Sequence, residues 1–474
     1  MSKTAYIVSA VRTPIGKFGG GLAEFTAADL GVIAVRAALE RAFGEAPPER
    51  VPGVGAAQET EAGTYGRPSS GVSGEIPRSP SRARNDKEKL SERAPGEKPE
   101  GRQDPSTVLR ASAGATGDGG QRARWRVDEL IFGNARPAGV GPNLARQIAW
   151  RAGLGDDVPA FTVNMACASG LRALLLAWQQ ILLGEAEIIV AGGTESMSRV
   201  PYLLEARWGF RLGHQELVDA MYRDGFLCPI SKMIMGETAE LLAEQYKIPR
   251  EEQDQYALES HQRAARAAAE CHFQAEMVPI ERTDKKGNVT RLDKDEHVRP
   301  EVTLEAMAKL PPVFSKTGSI TAGNSSGITD GAAALVLVSE QKLRELRLTP
   351  LARIVHATVA AVDPRVMGIA PVPAVRKLGK RTGWKPADYD AVELNEAFAA
   401  QVLACDRELG FNRARLNPNG GAIALGHPIG CSGARIATTL VHALRRETAP
   451  AGKRGLATLC VSGGLGVALA METT

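Results

Sequence analysis

Residues 160–193 read AFTVNMACASGLRALLLAWQQILLGEAEIIVAGG and hold three elements in a row. The first seven residues, 160–166, are typical of a strand that ends at Cys167. Residues 169–184 are largely apolar, which predicts a buried helix, and 186–193 form a second strand with a continuous apolar core. A strand, a buried helix and a buried strand in succession predict an α/β fold with helices layered on a sheet.

The same alternation continues on both sides of this stretch. The sequence predicts strands over 5–11 and 127–134 and helices over 28–43 and 143–154, and the strand-to-helix pattern resumes over 330–346. Short apolar strands that alternate with helices favour a layered α/β architecture over an all-helical one.

A weak internal repeat divides the chain. The tetrapeptide SGLR, 169–172, opens a helix that leads to the strand IIVAGG, and SGAR, 432–435, opens a helix that leads to LATLCVSGG. The segments TAYIVSAV, 4–11, and LARIVHATV, 351–359, are candidates for the matching first strands. The repeat predicts two similar layered halves that pack on each other, with a site between them outside the strand ends.

The predicted organisation has three parts and one insertion. The first half is residues 1–196, completed by 329–349, and the second half is residues 350–474. Residues 197–328 are rich in charged helices and poor in strand signal, which predicts an inserted helical domain. Residues 53–124 are rich in Gly, Pro, Ser, Arg and Glu, so they cannot bury enough apolar surface to offset their ordering entropy, and we expect a disordered insertion there.

Composition excludes several functional classes. A net charge of +4 on 474 residues is too small to favour nucleic acid as a partner. The six cysteines show no CxxC pair and no zinc-type spacing, so they are expected to be free thiols in a reducing compartment, with no metal site. We see no targeting segment and no apolar run long enough to span a bilayer, and we expect a cytoplasmic protein without a membrane span.

Two residues at helix-opening positions could carry nucleophilic chemistry. Cys167 precedes a helix and small residues follow it, so the helix N-terminus would favour its thiolate and a carbonyl could approach. A buried free cysteine without a role is the alternative. His427 lies in the glycine-dense loop NPNGGAIALGHPIGCSGAR, 417–435, where it could act as a base or could be a structural histidine.

Two further junctions carry polar or thiol side chains. Cys460 follows the strand GLATL and precedes a glycine-rich turn, in the place where the first half has the VAGG strand end. Asn395 and Glu396 follow the strand DAVEL and are predicted to start a helix. An asparagine there caps the helix or holds a water or a carbonyl oxygen.

Together these junctions resemble the thiolase family. The shared motifs occur in order over nearly the whole chain except 53–124: VRTPIGKFGG (11–20), NMACASG (164–170), AGGTESMS (191–198), TAGNSSGITDGAAA (321–334), NEAFA (395–399), GGAIALGHPIGCSGAR (420–435) and CVSGG (460–464). The resemblance implies a five-layer α-β-α-β-α fold with a helical loop domain. It also implies exchange of acyl groups between coenzyme A and a 3-ketoacyl-CoA.

The resemblance also implies a role for each catalytic residue. Cys167 would be the nucleophile that carries the acyl group as a thioester, and His427 would accept its proton. Cys460 would be the second acid and base. One oxyanion hole would consist of His427 and a water held by Asn395, and the other of the backbone N–H groups of Cys167 and Ser462.

By the same resemblance, coenzyme A is a substrate that lies on the helical domain, and no cofactor is permanently bound. The residues implied to contact coenzyme A or the acyl chain are Ser326, Arg299, Met235, Phe314 and Phe398. The chain is expected to form a homodimer or a homotetramer.

Two positions depart from the family pattern. Ser462 stands where the family commonly has glycine, which would strain the backbone if its φ were positive. Ile234 stands where many short-chain thiolases have a histidine, so the acyl chain length is left open. Two alternatives stay open as well: a decarboxylating ketoacyl synthase of related fold, and an acyl-CoA-binding protein of this scaffold without turnover.

Overall fold

A computed structural model describes residues 4–44, 127–283, 287–446 and 451–474. The chain divides into two units. Among the described residues, the first unit contains 4–44, 127–281, 291–446 and 451–474, and the second contains 282–283 and 287–290. The segment 53–124, predicted to be a disordered insertion, lies outside the described residues.

The strands of the described residues are β1 Ala5–Arg12, β2 Gly16–Lys17, β3 Glu129–Gly133, β4 Ala160–Val163, β5 Ile188–Ser196, β6 Tyr202–Leu203, β7 Val218–Asp219, β8 Ile280–Thr283, β9 Val289–Leu292, β10 Thr329–Ser339, β11 Ala352–Ala361, β12 Ala391–Leu394, β13 Arg454–Val461 and β14 Leu465–Glu472.

The α-helices are α1 Ala27–Phe43, α2 Leu144–Ala152, α3 Ser169–Leu183, α4 Met235–Gln245, α5 Arg250–Ala269, α6 Leu304–Ala308, α7 Glu340–Glu345, α8 Pro371–Thr382, α9 Ala399–Leu409, α10 Ala422–Leu425 and α11 Ile429–Arg445. Short 3-10 turns cover Met197–Arg199, Pro364–Ile369 and Pro386–Asp388, and Tyr222–Phe226 form a π-helical turn.

The large sheet has the order β12-β13-β14-β11-β1-β10-β5-β3-β4, with β2 paired to β10. Its two parts meet through a short pairing of β1 with β11, in which only Tyr6 and Ile7 face Arg353 and Ala352. On one side of this junction the order is β1-β10-β5-β3, and on the other it is β11-β14-β13-β12. The helices α3 and α11 lead into β5 and β13, so the predicted repeat is confirmed in the strand order.

Along each strand, some side chains enter an inner hydrophobic cluster and others an outer one, so that the sheets and helices are arranged in layers. In β1, Ile7 and Ala10 enter an inner cluster that contains the buried faces of α3 and α11. Val8 and Val11 of the same strand enter an outer cluster with α1 and α2. The strand is therefore buried on both faces, and the spacing of three within each pair reflects the irregularity in register between Ile7 and Ser9, which shifts the alternation by one residue.

The second half repeats the arrangement. In β13, Leu459 enters the inner cluster, while Leu456 and Cys460 enter a second outer cluster with α8 and α9. Helices, sheet, inner helices, sheet and helices therefore follow one another, which is the predicted five-layer α-β-α-β-α order.

The two inner helices approach each other at their first turns. A Cβ added to Gly170 of α3 would lie 2.7 Å from the backbone nitrogen of Ala434, and one added to Gly433 of α11 would lie 2.4 Å from that of Leu171. Only glycine permits this approach of two backbones. The segments that precede the two helices, with Cys167 and His427, are consequently brought together.

One stretch of the described residues, Ala166–Leu183, is apolar and long enough to cross a membrane by length and composition. This corrects the expectation that the sequence has no such stretch. It contains α3, whose buried face packs in the inner cluster between the sheets. Because this face of α3 is buried between the sheets, packing inside the protein accounts for its apolar composition.

Candidate active site

Cys167 lies in a tight turn between β4 and α3. The strand ends at Val163 rather than at 166 as predicted, because the chain turns before the cysteine. Ala166 has a φ of 43°, in the left-handed region that residues with a Cβ seldom adopt. The Ser169 hydroxyl accepts from Met165 N at 2.9 Å and donates to Ala166 O at 2.7 Å. This bonding holds the strained turn and sets the position of the thiol.

The Cys167 thiol is half-buried, and its electrostatics differ from the prediction. Burial is the largest influence and raises its pKa above the ordinary value, whereas the Arg136 charge and the Ser462 backbone amide lower it by less. The helix terminus alone therefore does not make Cys167 a resting thiolate. Formation of the thiolate requires a proton acceptor or a further positive charge.

Cys460 is a buried thiol at the end of β13. Burial raises its pKa well above the ordinary value, and the neighbouring thiols of Cys167 and Cys405 raise it further. Cys460 is thus protonated at rest and lies within electrostatic range of Cys167. Two thiols, of which one is a proton donor, share this end of the fold.

His427 is buried and presents one bare nitrogen. Its Nδ1 lies 2.6 Å from Ser432 Oγ, and the Ser432 hydroxyl donates to Pro428 O at 2.9 Å. With its only proton so used, Ser432 accepts from Nδ1–H, which leaves the lone pair on Nε2. Nε2 has no hydrogen-bond partner among the described residues.

The imidazole is neutral at physiological pH. Burial lowers the pKa of His427 to about 3, and the charges of Arg435 and Arg136 act in the same direction. A neutral ring with a free Nε2 is an acceptor that takes a proton when a neighbouring group releases one.

Asn395 is fully buried at the end of β12. Its backbone N donates to Thr458 O at 3.0 Å, but neither its side-chain oxygen nor its side-chain nitrogen has a partner among the described residues. A buried amide left unpaired is costly, so its bonding capacity is available to a ligand or a water. The prediction that a helix starts at Asn395 is wrong: α9 begins at Ala399 after Phe398, because the chain first passes through an extended segment.

Glu396 fixes the segment that carries Asn395. Its carboxylate accepts from Tyr256 Oη at 2.9 Å, Ser260 Oγ at 2.7 Å, Asn417 Nδ2 at 2.9 Å and Ile423 N at 3.1 Å. These bonds occupy the carboxylate and tie α5, the loop at Asn417 and α10 together. Glu396 is a structural neighbour of the site.

Ser462 occupies its position without backbone strain. Positive φ angles fall on Gly463, at 88°, and on Gly464, at 84°, and Ser462 does not share them. The strain considered for this departure is therefore absent. The Ser462 backbone amide lies close enough to the Cys167 thiol to lower its pKa.

Three of the residues expected to contact substrate form one group. The rings of Phe314 and Phe398 meet edge to face at 6.3 Å, and Met235 packs against the same outer cluster, which also contains Cys460. Ser326 lies beside them, since its backbone N donates to Ala397 O at 3.1 Å.

Arg299 lies apart from that group. It is exposed; its backbone N donates to His261 Nδ1 at 3.1 Å and its carbonyl accepts from Val302 N at 3.3 Å. The structure thus groups Ser326, Met235, Phe314 and Phe398 and leaves the Arg299 side chain on the surface.

Sequence reasoning missed two charged residues beside the thiols. Glu195, at the end of β5, accepts from Asn134 Nδ2 at 2.6 Å, Ala135 N at 2.9 Å and Gly430 N at 2.9 Å. Arg136 follows β3, is nine-tenths buried, and acts electrostatically on Cys167 and His427. Residues after neighbouring parallel strands meet at one sheet edge, so the order β5-β3-β4 was the signal that could have found them.

The arrangement suits transfer of an acyl group through a thioester. It offers a half-buried thiol, a second thiol that holds a proton, a bare imidazole nitrogen and unpaired amide groups. No cluster of three His, Cys, Asp or Glu side chains suited to a metal ion occurs among the residues that the structure describes.

Comparison with known proteins places this site in a family. The family model "Thiolase, N-terminal domain" matches residues 5–69 and 121–341, and "Thiolase, C-terminal domain" matches residues 348–473. A Cupriavidus necator protein named acetyl-CoA acetyltransferase is 42% identical over 467 residues, 98% of each chain.

Solved structures agree with this placement. A Bacillus anthracis acetyl-CoA acetyltransferase aligns with a TM-score of 0.80 at 39% identity and covers 100% of this chain and 99% of its own. A human mitochondrial 3-ketoacyl-CoA thiolase in complex with CoA aligns with a TM-score of 0.78 at 36% identity, covering 100% of this chain and 98% of its own.

The chain belongs to the thiolase family. It is an acyltransferase that moves acyl groups between coenzyme A and a 3-ketoacyl-CoA.

Proposed function

We propose that this chain cleaves and forms 3-ketoacyl-CoA through a thioester on Cys167, with His427, Cys460 and Asn395 as its catalytic partners. The observation that carries the proposal is the pair of unsatisfied buried groups: His427 Nε2 and the Asn395 amide have no partner among the described residues. Buried groups without partners are expected where a substrate supplies them.

In the cleavage direction Cys167 attacks the 3-keto carbon of the substrate, and His427 Nε2 accepts the thiol proton. The bond between C2 and C3 then breaks, which leaves the acyl group on Cys167 and releases the enolate of acetyl-CoA. The Cys460 thiol protonates that enolate at carbon. Its raised pKa suits the step, because the group must still hold its proton when the enolate forms.

The second stage restores the enzyme. The Cys460 thiolate takes the proton of an incoming coenzyme A thiol, whose sulfur attacks the thioester. The acyl-CoA leaves, and the Cys167 sulfur recovers its proton from His427. Condensation follows the same steps in reverse, in which Cys460 removes a proton from the methyl group of acetyl-CoA.

Both stages place negative charge on a thioester oxygen, and two sets of donors are proposed to stabilise it. His427 with a water held by Asn395 forms one, and the backbone N–H groups of Cys167 and Ser462 form the other. The unstrained Ser462 and its amide contact to the Cys167 sulfur support the second set.

We propose that coenzyme A lies on the helical domain 197–328, with the two halves being 1–196 with 329–349 and 350–474. The Phe314 and Phe398 rings would line the acyl end beside Cys460. The half-buried Ser326 would hydrogen-bond the pantetheine arm. The exposed Arg299 would face the charged nucleotide end.

Coenzyme A is proposed as a substrate, with no bound metal or permanent cofactor. We further propose a cytoplasmic homodimer or homotetramer without a nucleic-acid partner. Light scattering of the purified chain tests the assembly, since a mass of one chain only would contradict it.

The deciding experiment is CoA-dependent cleavage of 3-ketoacyl-CoA substrates of increasing acyl length. We expect turnover in the unmodified chain and a loss of about 10⁴-fold or more in C167A. The matched control is C271A, which removes an exposed free cysteine and should leave turnover unchanged. A folded chain that binds coenzyme A but cleaves no substrate would instead indicate a binding protein without turnover. The chain-length profile would show how Ile234 shapes the acyl pocket.

A further inference from the structure

Arg136 is a buried cation that forms no salt bridge within hydrogen-bonding distance among the residues that the structure describes. Its side chain is nine-tenths buried, its Nη1 donates to Ala135 O at 3.1 Å, and its Nε has no partner among the described residues. The buried Glu195 carboxylate interacts electrostatically with Arg136, but it accepts its hydrogen bonds from backbone N–H groups and Asn134 rather than from the guanidinium. A buried guanidinium held in this way is costly unless negative charge develops nearby.

The Arg136 guanidinium packs against the π-helical turn Tyr222–Phe226. A Cβ added to Gly225 would lie 2.5 Å from Arg136 Nη2 and 2.7 Å from its Cζ, so the absence of a side chain there makes room for the charge. Single π-helical turns are frequent at functional sites. The next residue back, Ala135, belongs to the small cluster of Met197, Met221 and Ile429 against which Cys167 packs.

We propose that Arg136 is a positioning residue of the reaction, whose fixed positive charge beside Cys167 stabilises the sulfur as a thiolate during proton transfer to His427. The proposal rests on Cys167 being the nucleophile, as argued above. The Cys167 thiol would then be activated in two ways, by proton transfer to the His427 imidazole and by the charge of Arg136.

The charged and titratable groups around Cys167 are consistent with this role. Arg136 provides the largest effect that lowers the pKa of the thiol, while burial and the Glu195 carboxylate raise it. The Cys460 thiol also interacts electrostatically with Cys167. The same Arg136 charge lowers the pKa of His427, which keeps the ring neutral until it takes the proton.

The test is the pH dependence of Cys167 alkylation by iodoacetamide, followed by mass spectrometry of the peptide that contains Cys167. R136Q keeps an N–H for Ala135 O but loses the charge, and we expect its alkylation midpoint to rise by about one pH unit. R136K keeps a charge and should stay close to the unmodified chain. G225A should raise the midpoint too, because its methyl group displaces the guanidinium.

M221L is the packing control, since Met221 lies in the same cluster and carries no charge. Thermal melting shows which variants are folded. If R136Q is unfolded, the alkylation midpoints of G225A and R136K are compared instead. An alkylation midpoint that stays unchanged without the charge would overturn the proposal and leave Arg136 a packing role.

Turnover provides a second readout. R136Q should cleave substrate about tenfold more slowly at neutral pH and approach the unmodified chain as pH rises, whereas a structural defect would lower the rate equally at every pH. Alkylation needs no turnover. An unmodified chain that fails to cleave any substrate would therefore count against the thiolase mechanism alone, and an unshifted midpoint would count against Arg136 alone.

Discussion

The two inner helices share a Ser-Gly pair in the first turn and use its serine differently, although α11 begins at Ile429, three residues before the predicted start at Ser432. Ser169 begins α3, and its hydroxyl bonds Met165 N and Ala166 O, so it holds the turn that carries Cys167, the proposed nucleophile. Ser432, in the first turn of α11, bonds His427 Nδ1 and Pro428 O, so it holds the ring of the proposed base. A duplicated fold has thus supplied two equivalent backbone positions, and the residues just before each helix have diverged in chemistry.

The strand ends that follow the two helices diverge in the same way. In the first half, Gly193 has no room for a side chain, because a Cβ there would lie 2.1 Å from Gly430 O. In the second half, the corresponding end of β13 carries the thiol of Cys460. The first half therefore contributes the proposed nucleophile and a close backbone contact, while the second half contributes the groups proposed to move protons.

The largest effect should come from removing the proton donor of the second half. C460A should lower kcat for cleavage by about 10³-fold, because the enolate then lacks a positioned acid. Alkylation of Cys167 by iodoacetamide, measured by mass spectrometry, should persist, since that reaction involves neither coenzyme A nor an enolate and does not use Cys460. Equal loss of cleavage and alkylation would mean that Cys460 supports the reactivity of Cys167 or the fold.

Removal of the unpaired amide should cost somewhat less. N395A should lower kcat by about 10²-fold with a smaller change in KM, because the amide acts mainly on developing negative charge. Steady-state cleavage of the best substrate measures both constants. A change confined to KM would show that Asn395 binds substrate in the ground state instead.

The equivalent serines provide the sharpest comparison of the halves. S432A should lower kcat by about tenfold and broaden the pH profile, because His427 loses the partner that fixes its tautomer. S169A should instead alter the rate of Cys167 alkylation, because it loosens the turn. Steady-state kinetics and alkylation, measured on both variants, test the assignment. If S432A and S169A changed kcat and the alkylation rate to the same extent, the two serines would not have different roles.

The pH dependence follows from the two buried groups. The His427 pKa of about 3 keeps the free ring neutral from pH 5 upward, so its protonation should produce no acid limb in kcat/KM between pH 5 and 7. The raised pKa of Cys167 should make alkylation faster as pH rises past the ordinary thiol range. A profile of both quantities from pH 5 to 10 measures this, and an acid limb centred near pH 6.5 would contradict the neutral ring.

The smallest effect concerns stability. G433A should lower the free energy of unfolding by about 1–3 kcal/mol, because its Cβ would lie 2.4 Å from Leu171 N and force the inner helices apart. R172A, on the facing helix, is the control and should change it by about 0.5 kcal/mol or less. Urea unfolding of both variants gives the difference. Equal stabilities would mean that the helices adjust without cost.

Much of the fold could be predicted because the relevant patterns are local. The helix predicted over 28–43 is α1, Ala27–Phe43, and the strand predicted over 5–11 is β1, Ala5–Arg12. The start of α9 was misplaced because strand, extended segment and helix follow one another there without a change in apolar pattern. Only the position of Phe398, which precedes Ala399 in extended backbone, marks the true start.

The sequence by itself determined the α/β class, the repeat and the ordered motifs that identify the family and name Cys167 and His427. It could do so because periodicity and motif spacing are properties of neighbouring residues. Only the tertiary structure decided that Nε2 of His427 is bare, that Ser462 is unstrained, and that Arg136 stands beside Cys167. Those facts depend on the strand order β5-β3-β4 and on burial, which lowers or raises each pKa through neighbours that are distant in the chain.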